Sequence, residues 1–352
     1  MPFIAAVSKI DLPDKVNQQQ VKEQAREMFS VDFPQVDRLI QAFDNTGIVT
    51  RNFVKPLSYY AQTTTFKERN DEYIRLSLQY AVQAVQGAIN KAGIDKNEIT
   101  DILFVSTTGL ATPSLDALII NQMQLDPHIN RTPIWGLGCA GGVSGIAKAN
   151  IAARANPDAV VLLVAVELCS LTLIKSDYSK SNFIGSSLFS DGVVACIVKG
   201  DNHLPDPRHI CIRAASSKLY YDSLDVMGWQ FQDDGFKVVF SKDIPTFIHT
   251  NVAADIHGFL QKQGLELSDI KNFVFHPGGK KVLDAYADAL AIEGDFLKNT
   301  REVMNDYGNM SSVTVLYVLE KFMAEGYTEG LGLMLAMGPG FSSEMVLLNM
   351  KN

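Results

Sequence analysis

The sequence has no run of apolar residues long enough to span a membrane. Its longest strongly apolar run extends from Ala159 to Val166 and is closed by Glu167, whereas a spanning helix needs roughly 20 apolar residues. The N-terminus also lacks the charged and long apolar segments of a secretory signal, and Asp11 and Asp14 follow it closely. We therefore expect a soluble protein with no transmembrane segment.

Cysteine is scarce, and its spacing excludes two of its common uses. The four cysteines show no CxxC pattern or other spacing typical of a metal site, and they are too few in 352 residues for a disulfide framework. They are Cys139, Cys169, Cys196 and Cys211. We therefore expect the protein in the reducing cytoplasm.

Positive charge is also in deficit. The chain has 31 Lys and Arg against 39 Asp and Glu, which gives a formal net charge of −8 and a pI near 5.3. This balance argues against nucleic acid as the main partner, so any polyanionic ligand would have to be held by local basic residues. With 47% apolar content, a chain of 352 residues can bury a large core, and its length suits two similar lobes.

The two halves of the chain repeat each other at a constant offset. Four residues show it most clearly: Lys91, Gly93, Ile99 and Phe104 reappear as Lys262, Gly264, Ile270 and Phe275. The same offset aligns Leu162–Val166 with Leu333–Met337, and Gly138-Cys139 with Asn309-Met310. We therefore divide the chain into two similar halves, residues 1–200 and 201–352, with a Pro-containing stretch over 201–208 between them.

Alternating helices and buried strands predict a layered α/β fold. Apolar residues at helical spacing predict a helix over 75–92 that ends at Gly93, and continuous apolar runs predict strands over 102–105 and 160–166. The other predicted elements are helices over 18–29, 38–43, 115–123, 140–155, 255–263, 281–290 and 311–324, strands over 134–136, 273–275 and 331–337, and a loop over 54–65. Because the two halves repeat this order of helices and strands, the sequence predicts two mostly parallel sheets that enclose central helices.

A glycine-rich segment surrounds one of the cysteines. In Gly136-Leu137-Gly138-Cys139-Ala140-Gly141-Gly142 a predicted strand ends, the chain turns, and a helix of small residues begins just after the cysteine. The sulfur of Cys139 is therefore expected at a helix N-terminus, where free amides and the helix dipole favour thiolate over thiol. Two simpler explanations stay open, because a lone cysteine is often a small buried apolar residue and a Gly/Ala run also packs helix on helix.

Two polar residues follow turns in the second half. His276-Pro277-Gly278-Gly279 comes directly after a predicted buried strand, and Tyr307-Gly308-Asn309-Met310-Ser311-Ser312 is the copy of the cysteine turn. An isolated histidine is usually structural, and an asparagine before a helix usually caps it. Beside Cys139, however, His276 and Asn309 would complete a thiolate nucleophile, an imidazole base and two N–H donors for an oxyanion or an enolate. This combination indicates acyl-thioester chemistry with carbon–carbon bond formation.

Six motifs in order resemble the type III polyketide synthases, the chalcone synthase superfamily, over nearly the whole chain. They are Gly138-Cys139-Ala140-Gly141-Gly142, Phe189-Ser190-Asp191-Gly192, His276-Pro277-Gly278-Gly279, Thr300-Arg301-Glu302-Val303, Tyr307-Gly308-Asn309-Met310-Ser311-Ser312 and Gly338-Pro339-Gly340. The resemblance implies a thiolase fold, an internally duplicated αβαβα layered sandwich, and a homodimer. It also implies coenzyme A thioesters as substrates and no metal or redox cofactor.

The resemblance implies roles for the three polar residues. Cys139 is the nucleophile and acyl carrier, while His276 activates it and, with Asn309, binds the malonyl thioester carbonyl during decarboxylation. The enzyme would load an acyl group from coenzyme A, decarboxylate malonyl-CoA, condense the two, repeat, and cyclise the chain. Segments 167–173 and 179–182 are similar to those of Bacillus-type synthases, which make alkylpyrones from long fatty acyl-CoA starters.

Five further positions are implied for the substrate. By family position Cys169, Thr172 and Ser311 line the cavity. Phe189 is a gate between tunnel and cavity, although ordinary core packing explains this phenylalanine equally well. With Lys242-Asp243-Ile244-Pro245 as the anchor, the second gate phenylalanine of the plant enzymes falls on Val238, and this smaller side chain predicts a wider passage for a long starter.

Phosphate binding must differ from that of the plant enzymes. The three basic residues that hold coenzyme A phosphates there fall on Arg38, Gln41 and Asn45. Only the first is basic, so the two lysines after the His276 turn are expected to supply replacement charge. We assign coenzyme A binding to Arg38, Gly278, Lys280 and Lys281. The simpler explanation of the lysines is a solvated helix start.

Two other functions remain open. A ketoacyl-ACP synthase III-like condensing enzyme uses the same three residue types, but its histidine is usually followed by Gln-Ala-Asn rather than by Pro277-Gly278-Gly279. A catalytically silent, lipid-binding protein of the thiolase fold is the third candidate, and the presence of all three polar residues speaks against it.

Overall fold

A computed structural model of the chain describes residues 1–30, 35–241 and 243–352, so Lys242, part of the anchor used to place Val238, lies outside the described residues. The strands are β1 (Phe3–Lys9), β2 (Asp14–Asn17), β3 (Thr50–Phe53), β4 (Asp101–Val105), β5 (Asn130–Ile134), β6 (Val160–Leu168), β7 (Asp191–Lys199), β8 (His209–Leu219), β9 (Met227–Gln232), β10 (Gly235–Phe240), β11 (Ile270–Phe275), β12 (Gly330–Gly338) and β13 (Ser342–Lys351).

The helices are α1 (Gln18–Ser30), α2 (Val36–Leu39), α3 (Leu57–Tyr60), α4 (Phe66–Ala92), α5 (Leu115–Met123), α6 (Gly141–Ala155), α7 (Lys180–Leu188), α8 (Ile244–Phe247), α9 (Ala253–Gln261), α10 (Lys280–Leu290), α11 (Lys298–Tyr307) and α12 (Thr314–Glu325). Short 3-10 turns stand before or between them, and a π-helical turn over Ile248–Val252 joins α8 to α9. None of the helices in the described residues is long and apolar enough to cross a membrane.

The main sheet contains the same strand arrangement twice. In the first half β4 runs parallel to β6, β6 antiparallel to β7, and β7 antiparallel to β1. In the second half β11 runs parallel to β12, β12 antiparallel to β13, and β13 antiparallel to β8. The expected two sheets are hydrogen-bonded into one nine-stranded sheet, because β1 and β8 pair at Phe3 with Cys211 and at Ile4 with Ile210. The expectation of mostly parallel sheets was wrong, since β4-β5, β4-β6 and β11-β12 are parallel and the other five pairings of this sheet in the described residues are antiparallel.

The layers follow from which faces of the strands are apolar. All nine residues of β6 are buried, as expected for a strand covered on both faces. Helices α6 and α12 lie between the two halves, where Ile146 and Leu319 pack in one cluster with Leu163 of β6 and Leu348 of β13. Helix α4 covers the outside of the first half, and α9 and α10 cover the outside of the second. The molecule is therefore the αβαβα sandwich of a thiolase fold.

Most predicted elements are present, but several boundaries differ. Helix α4 starts at Phe66 instead of residue 75, because Thr65 and Glu68 form a capping box ahead of its apolar positions. Strand β5 ends at Ile134, where the sequence predicted that it begins, and the predicted loop over 54–65 contains α3. The sequence analysis missed β1, β2, β3, β7, β8, β9, β10, β13, α7, α8 and α11.

Candidate active site

Cys139 lies on a tight turn between β5 and α6. The turn needs glycine, since Gly136 and Gly138 have φ angles of 91° and 48°, and a Cβ on Gly138 would stand 2.6 Å from Pro339 Cδ. The Gly138 amide donates a hydrogen bond to Thr107 Oγ1 at 3.0 Å, which ties the turn to the end of β4. Cys139 Sγ is buried, 3.8 Å from Ser311 Oγ.

The next two glycines serve helix packing. A Cβ on Gly142 would stand 2.2 Å from the Ser312 carbonyl oxygen, and one on Gly141 would stand 2.7 Å from Val105 Cγ1. A Cβ on Gly142 would also stand 2.7 Å from Val315 Cγ1 of α12, so the simpler explanation of helix packed on helix is confirmed for Gly142, whereas Gly141 packs on strand β4. These two glycines allow the turn that carries Cys139 to approach the turn that carries Asn309.

His276 follows the last residue of β11 and is buried. Its backbone amide donates to the Leu335 carbonyl oxygen at 2.8 Å, which continues the pairing of β11 with β12. Neither ring nitrogen has a hydrogen-bond partner within the described residues. A buried imidazole with both nitrogens unpartnered is available to a substrate or to a neighbouring thiol.

Asn309 is held by its own backbone and by a neighbouring helix. Its Oδ1 accepts the Ser311 amide at 2.9 Å, which leaves Nδ2 as the donor, 3.5 Å from the Gly278 carbonyl oxygen. Its backbone forms a two-sided bridge to the end of α7, because Asn309 N donates to Leu188 O at 3.0 Å and Ser190 N donates to Asn309 O at 2.9 Å. The turn predicted around this residue is present, and its hydrogen bonds fix the orientation of the Asn309 Nδ2 donor.

Burial dominates the electrostatics of the site. It raises the pKa of Cys139 to about 12, with the Ser311 hydrogen bond acting in the opposite direction, and it lowers the pKa of His276 to about 3. The position of Cys139 at a helix start predicted a lowered thiol pKa, and this prediction was wrong because the sulfur is desolvated. A lone thiolate or a lone imidazolium is therefore disfavoured at this site.

A buried carboxyl group underlies the turn. Glu167, at the end of β6, accepts hydrogen bonds from Thr107 N, Thr108 Oγ1 and Ser312 Oγ at 3.0, 2.9 and 2.6 Å. Burial raises the pKa of Glu167 to about 7. The carboxyl therefore links the strand end behind the Cys139 turn to the start of the α12 region.

Cys139, His276 and Asn309 all line one cavity of about 920 Å³, which we call the catalytic cavity. Its walls include residues of α7, α10 and β10. Its lining also includes three exposed lysines, Lys180, Lys280 and Lys281. The arrangement combines a nucleophile, an imidazole and an amide donor with positive charge on the same cavity.

Two smaller cavities extend from the catalytic cavity. A passage of about 30 Å³ shares Cys139, Met227 and Phe240 with the catalytic cavity. The passage then shares Phe189, Trp229 and Val238 with a pocket of about 80 Å³, which we call the apolar pocket. The apolar pocket is bounded by α1, α3, α7 and the β9-β10 hairpin, which pairs with no other strand among the described residues.

The predicted substrate residues are spread over these cavities. Cys169 and Thr172 line the apolar pocket, while Ser311 lines the passage. Phe189 and Val238 line both, which places them at the boundary between passage and pocket.

The predicted coenzyme A residues are divided in the same way. Gly278, Lys280 and Lys281 line the catalytic cavity. Arg38 lies exposed on α2 and is not among the residues that line this cavity.

Sequence reasoning missed Phe240 and Lys180. Phe240 stacks on Phe189 with 5.6 Å between ring centroids, so a second aromatic ring faces Phe189 from the side of the catalytic cavity. The two-residue turn Asp233-Asp234 followed by Gly235 could have revealed the hairpin that carries Phe240. Nothing in the sequence connects Lys180 with Lys280, since they begin different helices.

No group of three or more His, Cys, Asp or Glu side chains in the described residues is arranged to hold a metal ion.

Comparison with known proteins agrees with this geometry. The models of the N-terminal and C-terminal domains of chalcone and stilbene synthases match residues 50–202 and 212–351. A Bacillus subtilis (strain 168) protein, provisionally named as a chalcone synthase, is 41% identical and covers 99% of each chain. A Mycobacterium tuberculosis (strain CDC 1551 / Oshkosh) protein named as alpha-pyrone synthesis polyketide synthase-like is 26% identical over 95% of this chain and 87% of its own.

A solved structure is also similar. The crystal structure of 1,3,6,8-tetrahydroxynaphthalene synthase from Streptomyces coelicolor A3(2), described as a bacterial type III polyketide synthase, superposes with a TM-score of 0.93. It is 28% identical, and the match covers 99% of both chains. With both domain models matched in order and the thiol, imidazole and amide on one cavity, this chain belongs to the chalcone and stilbene synthase family, the type III polyketide synthases.

Proposed function

We propose that this enzyme extends a long-chain fatty acyl-CoA starter by repeated decarboxylative condensation with malonyl-CoA and releases alkylpyrones, with alkylresorcinols as a second product class. The observation that carries the proposal is the row of three adjoining cavities. Lysines and Cys139 share the first cavity, Cys139 also lines the second, and the third is lined mainly by apolar side chains. Such a row fits a substrate with a polyanionic end, a reactive thioester and an apolar tail.

The proposed loading step uses Cys139 and His276. The imidazole accepts the thiol proton, and the thiolate attacks the thioester carbonyl of the starter. Coenzyme A leaves as its thiol and takes the proton back from the imidazolium. The acyl group remains on Cys139 as a thioester.

The proposed extension step uses Asn309 with His276. The thioester carbonyl of malonyl-CoA accepts hydrogen bonds from Asn309 Nδ2 and the imidazole, so that loss of CO₂ gives a stabilised enolate. The enolate carbon attacks the Cys139 thioester, a carbon–carbon bond forms, and the thiolate is released. After further rounds an enol oxygen of the chain attacks the terminal thioester, which closes the pyrone ring and releases coenzyme A.

We assign the starter tail to the apolar pocket. Its lining includes Val21 and Met28 from α1 and Phe53 from β3, together with Cys169 and Thr172. Each buried methylene contributes about 0.8 kcal/mol, so starter affinity should rise with chain length until the pocket ends. A long tail needs more room than about 80 Å³, and the hairpin β9-β10 is the wall that can yield, because it pairs with no other strand among the described residues.

We assign the coenzyme A phosphates to Lys180, Lys280 and Lys281. A Cβ placed on Gly47 would stand 4.0 Å from Lys280 Cβ, and Asn45 lines the same cavity. Lys280 therefore lies beside the segment where the plant enzymes carry basic residues. In this arrangement α7 and α10 supply the charge that Gln41 and Asn45 lack.

We further propose a cytoplasmic homodimer that needs no metal or redox cofactor. Trp135 and Phe231 stack on the surface with 6.0 Å between centroids, and they are 45% and 59% exposed. Leu110 is also exposed, at 43%. Exposed aromatic and aliphatic side chains of this kind are typical of a protein–protein interface. Size-exclusion chromatography with light scattering measures the molar mass of the protein in solution and so tests for the dimer.

The experiment that tests the function uses the purified protein, malonyl-CoA and a series of acyl-CoA starters from acetyl to stearoyl. Products are identified by mass spectrometry beside a Cys139→Ala control. We expect alkylpyrones that peak with long starters and are absent in the control. Condensation only after malonyl acyl carrier protein is supplied would instead assign the ketoacyl-ACP synthase III class. Absence of products together with an unreactive Cys139 would assign a silent lipid-binding protein.

A KM that stays flat from short to long starters would contradict the assignment of the tail to the apolar pocket.

Neutralising Lys180, Lys280 and Lys281 by Lys→Met substitution should raise the KM for coenzyme A thioesters. An unchanged KM would remove these lysines from the phosphate site.

A further inference from the structure

A buried arginine lies close to the catalytic site. Arg51, on β3, is only 1% exposed, and it also lines the apolar pocket. Its Nη1 donates hydrogen bonds to the carbonyl oxygens of Ser186 and Phe189 at 2.7 and 2.8 Å. These carbonyls belong to the last turn of α7 and to the gate residue that follows it, where a cation is favoured by the helix dipole.

Packing alone does not account for an arginine at this position. Nε and Nη2 have no hydrogen-bond partner within the described residues, and the guanidinium carbon lies 5.7 and 5.3 Å from the ring centroids of Phe43 and Phe53. Burial lowers the pKa of Arg51 to about 9, with Asp191 as the charge that opposes this shift. An apolar side chain of similar volume would avoid the desolvation, so the two carbonyl contacts are what the arginine adds.

The stem of the same arginine touches the Asn309 turn. A Cβ on Gly308 would stand 3.0 Å from Arg51 Cγ and 3.1 Å from Cδ, and the φ angle of Gly308 is 73°. The next residue, Asn309, is bonded through its backbone to Leu188 and Ser190, on either side of Phe189. Arg51 thus contacts residues 186–190, which we call the gate segment, through its guanidinium group. It contacts the turn before Asn309 through the aliphatic part of its side chain.

A second pair of bonds joins β3 to the same segment. The Asn52 amide donates to Ser190 Oγ at 2.9 Å, and Ser190 Oγ donates to the Asn52 carbonyl oxygen at 3.0 Å. Strand β3, the gate segment and the Asn309 turn are therefore connected with one another. Arg51, on β3, contacts both the gate segment and the Asn309 turn.

We propose that Arg51 is a positioning residue that holds Phe189 and Asn309 in a fixed relation. This role rests on the proposed function, because it assigns Asn309 to the malonyl half-reaction and Phe189 to the boundary of the starter tail. Loss of Arg51 frees the end of α7 and lets the Asn309 amide shift. Malonyl decarboxylation then suffers, whereas starter loading, which uses Cys139 and His276, persists.

The test compares Arg51→Met, Arg51→Lys and the control Arg75→Met, an exposed arginine of α4 that pairs with Glu72. Three quantities are measured: single-turnover acylation of Cys139 by acetyl-CoA, whose acyl group has no tail to reach the apolar pocket that Arg51 lines, decarboxylation of malonyl-CoA without a starter, and the melting temperature. We expect Arg51→Met to lose up to about 100-fold in decarboxylation, the order expected for a catalytic group displaced by about 1 Å. Loading should stay close to wild type. Arg51→Lys, which can still donate to one of the carbonyls, should recover part of the loss, and Arg75→Met should match wild type.

Two results would overturn the proposal: unchanged decarboxylation in both Arg51 variants, or loading and decarboxylation that fall by the same factor. If Arg51→Met shows no cooperative melt, the proposal is judged on Arg51→Lys alone. Its loading rate and its decarboxylation rate are then each compared with those of the wild type. A wild-type enzyme that decarboxylates malonyl-CoA but fails to load long starters would refute the proposed starter class and leave the Arg51 comparison intact.

Discussion

The two turns that lead into the central helices have the same architecture but deliver different chemistry. The first passes Gly138 into α6, and the second passes Gly308 into the region before α12, with both glycines at positive φ. Cys139 is held through its neighbour's amide, which donates to Thr107, and its sulfur has no charged partner at hydrogen-bond distance among the described residues. Asn309 is held by its own side chain and backbone, through Ser311, Leu188 and Ser190.

The proposed function gives this difference between the turns a chemical reason. A nucleophile must move from thiol to thioester and back during each cycle, so it benefits from a site without strong permanent partners. An oxyanion donor must stay in one place, so its orientation is fixed before substrate arrives. The two halves supply equivalent turns, and under the proposed function the side-chain environment of each turn meets one of these needs.

The largest effect should come from removing the functional group of each turn separately. We expect Cys139→Ala to abolish acyl loading and all product while malonyl decarboxylation continues, because the sulfur takes no part in that step. Asn309→Ala should do the reverse, with decarboxylation reduced about 10²- to 10³-fold, as for loss of one oxyanion donor, and loading kept. Intact-protein mass spectrometry measures loading, and chromatography of acetyl-CoA measures decarboxylation. If both variants lose both half-reactions equally, the division of labour between the turns is wrong.

The next test concerns the proton on Cys139. Because burial raises the pKa of the thiol, removal of the imidazole leaves no acceptor for its proton. We expect His276→Gln to slow alkylation of Cys139 by iodoacetamide at pH 7 by about tenfold or more, since one pKa unit is a factor of ten. The pH midpoint of alkylation should move upward in the variant. Peptide mapping, with Cys139→Ala as the blank for the other cysteines, gives the rate, and equal rates in wild type and variant would show that the imidazole does not activate the sulfur.

Sequence reasoning found the two turns because their signals are local. Glycines around Cys139 and Asn309 and the polar residue after β11 can be read in a few residues, and the apolar run of β6 marks a strand buried on both faces. The contact of Arg51 with the Phe189 carbonyl was invisible, since a side chain that bonds backbone far along the chain leaves no pattern. Helix α4 was placed too late because residues 67–72, in its first turns, are all charged or amide residues and show no apolar period.

The sign of the thiol pKa shift was also beyond the sequence. Position at a helix start could be inferred, but the enclosure of Cys139 by residues from both halves could not. Local motifs therefore predicted which groups converge, and tertiary packing decided how their proton equilibria shift.

The glycines that let the two turns approach offer a stability test. A Cβ on Gly142 would meet the Ser312 carbonyl oxygen at 2.2 Å, and this atom is backbone, which yields poorly. We expect Gly142→Ala to destabilise the fold by about 1–3 kcal/mol, the usual range for overpacking, with a lower melting temperature. The matched control is Gly258→Ala in α9, where an added Cβ would meet no atom within 4 Å apart from the nearby backbone of its own helix. This change should stabilise the fold by about 0.5–1 kcal/mol. Equal effects at the two sites would mean that close approach does not require Gly142.

The last comparison concerns Glu167, whose carboxyl accepts hydrogen bonds from Thr107, beside the Cys139 turn, and from Ser312, after the Asn309 turn. Burial raises its pKa in the folded state to about 7, above the ordinary value of 4.5, so the folded protein holds this proton more tightly than the unfolded chain between those values. Its contribution to stability is complete below pH 4.5 and is lost as the pH rises through about 7, by up to about 1.4 kcal/mol per pH unit. Glu167→Gln cannot ionise, so its stability relative to wild type should increase from pH 5 to pH 7 and then level off. Urea unfolding at several pH values measures this difference, with the exposed Glu293→Gln as control. A difference that is independent of pH would mean that Glu167 is ionised in the folded protein and that the network of Thr107, Thr108 and Ser312 compensates its burial.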